Sequence, residues 1–141
     1  MKVNSISLTV FAHETEDEGK IDSAVRSFFS SFLTDLDSSF QKVYGHFDDK
    51  LVIMKYSWEG KSAKQVLRYL LTSLSPSDRL ILKDSIHDHV DGSKLHIRLD
   101  KQAMIANGRP KLTQGDDVIK VIISFSNFNF GELEELIVGT D

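Results

Sequence analysis

The chain has 141 residues, a net charge of −4 and no cysteine. That length suits one domain with a sizeable core, and the lack of cysteine excludes a disulfide framework, a thiolate metal site and a cysteine nucleophile. The opening "MKVNSISLTVFA" is interrupted by Asn4, Ser5, Ser7 and Thr9, too polar for a signal-peptide core or a membrane span, so a cytoplasmic location is expected.

Ile6, Leu8 and Val10 alternate with Ser5, Ser7 and Thr9, which predicts a first strand. Thr15 followed by Glu18 has capping-box spacing, and Ile21, Val25, Phe28, Phe29 and Phe32 recur at helical intervals, predicting a helix from about Glu16 to Ser30 or Ser31. "SFQKVYGHF" and "KLVIMKYSW" read as two strands of a hairpin around Gly45 to Asp49. After Gly60 the period changes: Ala63, Val66, Leu67, Leu70, Leu71 and Leu74 form one apolar stripe of a second helix. Ser75 before Pro76 starts a third, ending near His87 or His89. "KLHIRLD" sends Leu95, Ile97 and Leu99 to one face and His96, Arg98 and Asp100 to the other. "DVIKVIISFS" points Ile119, Val121, Ile123 and Phe125 inward and Lys120, Ser124 and Ser126 outward, and a short acidic helix is expected near Glu132 to Ile137.

This order predicts an α+β two-layer sandwich, a mostly antiparallel sheet with helices packed on one face. One domain is expected over residues 1–141, with its core in about 3–126 and a short acidic extension. The uncovered face should collect Ser5, Ser7, Thr9, Lys55, Ser57, His96, Arg98, Lys120, Ser124 and Ser126, with no carboxylate apart from Asp100 at its edge. Leu51 and Ile53 share Lys55's side of their strand.

Charge is unevenly distributed. From Lys94 to Lys111 there are five bases (Lys94, Arg98, Lys101, Arg109 and Lys111) against one acid, Asp100. The segment reads as a strand that mounts a cationic loop, with Asp100 orienting the neighbouring bases or capping the next turn. Lys61, Lys64 and Arg68 form a basic stripe on the second helix. Two such features on a net-acidic chain suit phosphate recognition, and convergence on one concave surface would be the strongest sign of it.

Enzymatic readings are weaker. In "HDHVD", His87 and His89 two apart on a helix project about 200° from each other, which argues against a shared metal. His13, His46 and His96 lack a partnered nucleophile, and no GxSxG, HExxH, Walker or GxGxxG motif is present. No catalytic residue, cofactor or metal is assigned. Base stacking on the sheet has one aromatic to use, Phe11, since Tyr56 and Trp58 fall on the packed face. Asn127, Phe128, Asn129 and Phe130 form a second aromatic and amide patch, for which core capping is the commoner fate.

The stretches "VFAHETEDEGKI", "GHFDDKLVIM", "LHIRLDKQAMIANG" and "GDDVIKVIISF", in that order, resemble the archaeal RNA-binding family described as predicted exosome subunits, whose fold is similar to that of large-subunit ribosomal protein five. The resemblance spans about Val3 to Phe125, with "LDKQ" and "GDDVI" its most specific parts. It implies a non-catalytic protein that binds RNA beside RNA-processing or degrading machinery. It carries over Gly45, His46, Phe47 and Asp100 as signature positions, together with Arg98, Lys101 and Gln102. The expected RNA contacts are therefore Lys55, Lys61, Lys64, Arg68, Arg98, Lys101, Gln102, Arg109 and Lys111. The alternative is a protein-interaction module inside an RNA-processing or ribosomal assembly that does not itself touch RNA.

Overall fold

The computed structural model describes residues 1–47 and 49–139. Strands β1 (Lys2–His13), β2 (Asp37–Tyr44), β3 (Lys50–Glu59), β4 (Val90–Asp91), β5 (Lys94–Asp100) and β6 (Val118–Ser126) form one sheet in the order β2-β3-β1-β6-β5-β4. Every neighbouring pair is antiparallel. Between and after the strands come α1 (Glu18–Phe28), a 3-10 segment (Ser30–Asp35), α2 (Gly60–Ser73), α3 (Pro76–Asp84), α4 (Ile86–His89), α5 (Lys101–Asn107) and α6 (Phe130–Val138). The architecture is the expected α+β layering. Among the described residues, no helix is long and apolar enough to cross a membrane.

Alternation along each strand decides which face the helices cover. Ile6, Leu8 and Val10 of β1 are buried, as are Val52, Met54, Tyr56 and Trp58 of β3, Leu95, Ile97 and Leu99 of β5, and Val121, Ile123 and Phe125 of β6. They pack with Ile21 and Val25 of α1, Val66, Leu67 and Leu70 of α2, Met104 of α5, and Leu133 and Ile137 of α6 in one core. Each such side chain contributes about 1.5–3 kcal/mol relative to exposure. The two large aromatics of β3 also satisfy their polar ends: Trp58 Nε1 donates to Phe32 O at 2.8 Å, and the Tyr56 hydroxyl to Asp22 Oδ1 at 2.7 Å. These bonds tie α1 and the 3-10 segment to the sheet.

Several local expectations are corrected. The cap of α1 is Asp17, whose carboxylate accepts from the Gly19 and Lys20 amides, and not the Thr15–Glu18 box. The third helix breaks at Ser85, so α4 is separate. Most consequentially, the first seven residues of the expected cationic loop after β5 form a helix, and Arg109 and Lys111 follow it. Asp100 Oδ1 accepts from the Ala103 amide at the start of α5, and Gly108, at φ +64°, ends it in the left-handed conformation that favours glycine.

Candidate nucleic-acid interface

The face of the sheet turned away from the helices is a continuous surface whose rows follow from strand register. Opposite one another across five strands stand Ser39 of β2, Lys55 of β3, Thr9 of β1, Lys120 of β6 and Arg98 of β5. Directly opposed residues share a face, so this row holds three cations, two hydroxyls and no acid. With strands about 4.8 Å apart, Lys55 and Lys120 are separated by about two strand spacings and Lys120 and Arg98 by one. Among the described residues, Lys55 and Lys120 form no salt bridge. Arg98 is half-committed: its Nη2 donates to Gly115 O at 2.7 Å and lies 3.5 Å from Asp116 Oδ1.

An apolar strip flanks the row. Phe11 of β1 pairs with Ile53 of β3, and Lys120 Nζ sits 5.7 Å from the Phe11 ring centroid. On the other side run Asp37, Ser57, Ser7, Ile122 and His96. Asp37 there, and Glu59 opposite Ser5 one row further, are exposed, so Asp100 is not the only carboxylate on this face. Both lie outside the cationic row.

The other expected contacts do not converge with it. Lys61, Lys64 and Arg68 project from α2 on the helical side, lining a groove against α6. Arg109 and Lys111 line a separate depression with Ser75 and Asp78. Lys101 is withdrawn from any phosphate: it is 1% exposed, and its ammonium donates to Phe11 O at 2.9 Å, Glu16 Oε1 at 2.8 Å and Asp117 Oδ1 at 2.6 Å. All three of its protons are used. Gln102 is likewise engaged, donating to Asp117 Oδ2 at 3.0 Å.

The signature stretches thus meet at a structural clamp. "HETE" supplies Glu16, which also accepts from the His13 amide at 3.0 Å, "LDKQ" supplies Lys101 and Gln102, and "GDD" supplies Asp117. Burial alone would raise the Glu16 and Asp117 carboxyls, but hydrogen bonds from Lys101, joined by the His13 amide and by Gln102 respectively, hold both below the ordinary range. His13, Glu16 and Asp117 offer ligand atoms within 4.8 Å of one another. The Lys101 ammonium already occupies an oxygen of each carboxylate, Glu16 Oε1 and Asp117 Oδ1. The Gly45 amide donates to Asp49 O at 2.7 Å in the β2–β3 turn, and a Cβ there would displace the Asp49 carboxylate. His46 and Phe47 sit in that turn, and Phe47 is 90% exposed.

The histidine-rich run is structural as well. His89 has one ring nitrogen 3.1 Å from His96 O and the other 3.1 Å from Ser85 Oγ, while His87 stacks on Phe130 with centroids 4.4 Å apart. Phe128 packs against the core, the capping role. Lys120 was legible as outward-facing on its strand; its place between Lys55 and Arg98 needed the register.

A family profile described as RNA binding matches residues 5–125. An uncharacterized protein of Methanocaldococcus jannaschii is 30% identical, over 94% of this chain and 91% of its own length. The RNA-binding protein PAB1135 of Pyrococcus abyssi is 27% identical, over 91% and 85%. Among solved structures, protein SSO0741 of Sulfolobus solfataricus, a DUF54 protein, superposes with TM-score 0.88 at 38% identity, covering 96% of this chain and 97% of that one. A DUF54 protein of Archaeoglobus fulgidus gives 0.79 at 24% identity, covering 96% and 99%, a likeness of fold. The chain belongs to the archaeal RNA-binding family also known as DUF54.

Proposed function

We propose that this protein binds RNA on the open face of its sheet, with backbone phosphates lying along Lys55, Lys120 and Arg98. The carrying observation is the row itself: three cations in register across four neighbouring strands, with no acid among them. Thr9 and Ser39 add hydroxyl donors, and Phe11 beside Lys120 supplies one stacking surface. A single aromatic suits backbone and shape recognition better than sequence reading. The family description and the naming of the Pyrococcus relative support the same ligand.

The protein acts without catalysis, within one domain, beside RNA-processing or RNA-degrading machinery related to the exosome. Support for that placement is the resemblance of the "HETED", "LDKQ" and "GDDVI" stretches. The test is binding of a labelled single-stranded oligouridylate and of a hairpin RNA, by fluorescence anisotropy, to the unchanged chain and to K55Q/R98Q/K120Q. The variant is expected to lose more than about tenfold in affinity, since each charged contact is worth about 1 kcal/mol or more. Equal affinity would overturn this placement of the RNA.

A further inference from the structure

A second surface on the opposite side of the molecule has a different chemistry. Between α2 and α6 runs a groove made of two contiguous hollows of about 520 and 350 Å³ that share Arg68 and Leu136. Its wall on α2 reaches from Gly60 to Thr72, about 18 Å at 1.5 Å per residue, or some three helical turns. The floor is apolar: the half-buried Leu136 and the edge of Val3 are its accessible surface, with Leu67 buried beneath them. Val3 is brought there by the β-bulge between Val3 and Ser5, where β1 shifts register against β6.

The charge of the rim is one-sided. Lys61, Lys64 and Arg68 line the α2 wall, and Lys2 stands at the mouth. Of the three acids on α6, Glu132 and Glu135 line the groove and Glu134 does not; Glu132 is paired with the Met1 amino group at 2.9 Å, which leaves Glu135. At the far end the Arg79 guanidinium is under-used: its Nη1 makes a 3.4 Å bond to Val138 O, and its Nε is buried with no acceptor among the described residues. Among the described residues, the groove therefore joins an apolar trough to a surplus of cations, five against the one unpaired lining acid, Glu135.

We propose that the α2–α6 groove docks an acidic amphipathic helix of a partner protein. An apolar stripe would fill the trough over Leu136 and Val3, and flanking carboxylates would pair with Lys61, Lys64 and Arg68. The trough's length matches about three turns of such a helix. RNA fits it less well, because an apolar floor offers a phosphate backbone nothing. This surface is separate from the cationic row across the sheet, so one molecule can hold RNA on one side and a protein on the other.

The test titrates the isotope-labelled full chain with a synthetic helical peptide bearing leucines at i, i+3, i+4 and i+7 and glutamates on its flanks. The same peptide with lysines for glutamates is the control. The acidic peptide is expected to shift the amide signals of α2 and α6 while sparing Ser7, Thr9 and Lys120, and the lysine peptide to leave them unmoved. Affinity should fall at least about tenfold in K61E/K64E/R68E. K61A/K64A/R68A, checked by circular dichroism, gives the same reading if charge reversal disturbs folding. Peptide binding that ignores these substitutions, or that shifts signals elsewhere, overturns the proposal. So does an oligouridylate affinity that falls in the α2 variants as far as in K55Q/R98Q/K120Q, since the stripe would then belong to the RNA surface.

Discussion

Lys101 Nζ lies 2.6 Å from Asp117 Oδ1, joining the first residue of α5 to the residue just before β6. The lysine is 1% exposed and Asp117 about half exposed, so the two ends of the bond have unequal consequences. Removing the lysine leaves Phe11 O and two carboxylates without their shared donor, whereas removing one carboxylate leaves the ammonium two acceptors. K101M is expected to lose about 3 kcal/mol in urea unfolding. D117N should lose about 1 kcal/mol, because its partner keeps Glu16. Equal losses would mean that the clamp is a surface ion pair.

The same cluster sets an acid limb. Glu16 and Asp117 titrate below their ordinary values in the folded chain, so in acid the unfolded chain binds more protons and stability falls as pH falls. The contribution is complete above about pH 4.5, the ordinary glutamate value, and fades as pH drops through the lowered folded values. Thermal midpoints measured from pH 6 down to pH 2.5 should decline steeply for the unchanged chain. K101M, less stable throughout, should decline less over that window.

Asp100 caps α5. Its carboxylate accepts from the Ala103 amide at 3.0 Å, and helix caps of this kind are worth about 1 kcal/mol. D100A should cost that much stability, D100N less, and neither should change oligouridylate affinity by more than about twofold at fixed salt. A large gain in RNA affinity on removing this charge would instead mean that Asp100 repels the ligand.

What the amino-acid pattern made readable was local. Alternation placed Ile6, Leu8, Val10, Leu95, Ile97 and Leu99 on the covered face, and the α2 stripe was plain because five of its residues are buried. Lys101 was misread because its burial depends on Glu16, 85 positions away, and a lysine in a charged run looks solvated. Helix α5 was missed because it has seven residues and one buried hydrophobic, Met104. The available signals were its ends, Asp100 as cap and Asn107-Gly108 as stop. The cationic row needed register: Lys55, Lys120 and Arg98 lie in three strands distant in sequence, and only their pairing with Thr9 and one another makes a surface of them.

That row makes a quantitative demand on RNA binding. If Lys55, Lys120 and Arg98 each neutralise one phosphate, the logarithm of the affinity for a single strand should fall with the logarithm of salt concentration at a slope of about −2, from about 0.7 per contact. Replacing Lys120 alone by glutamine should reduce the slope by about 0.7 and weaken oligouridylate and hairpin RNA alike, since a phosphate contact carries no sequence information. Arg98 shares its guanidinium with Gly115 O and Asp116, so R98Q should reduce the slope by less than K120Q. Anisotropy titrations between 50 and 300 mM salt would measure all three slopes. A slope near zero, or one that K120Q leaves unchanged, would remove the phosphates from this face.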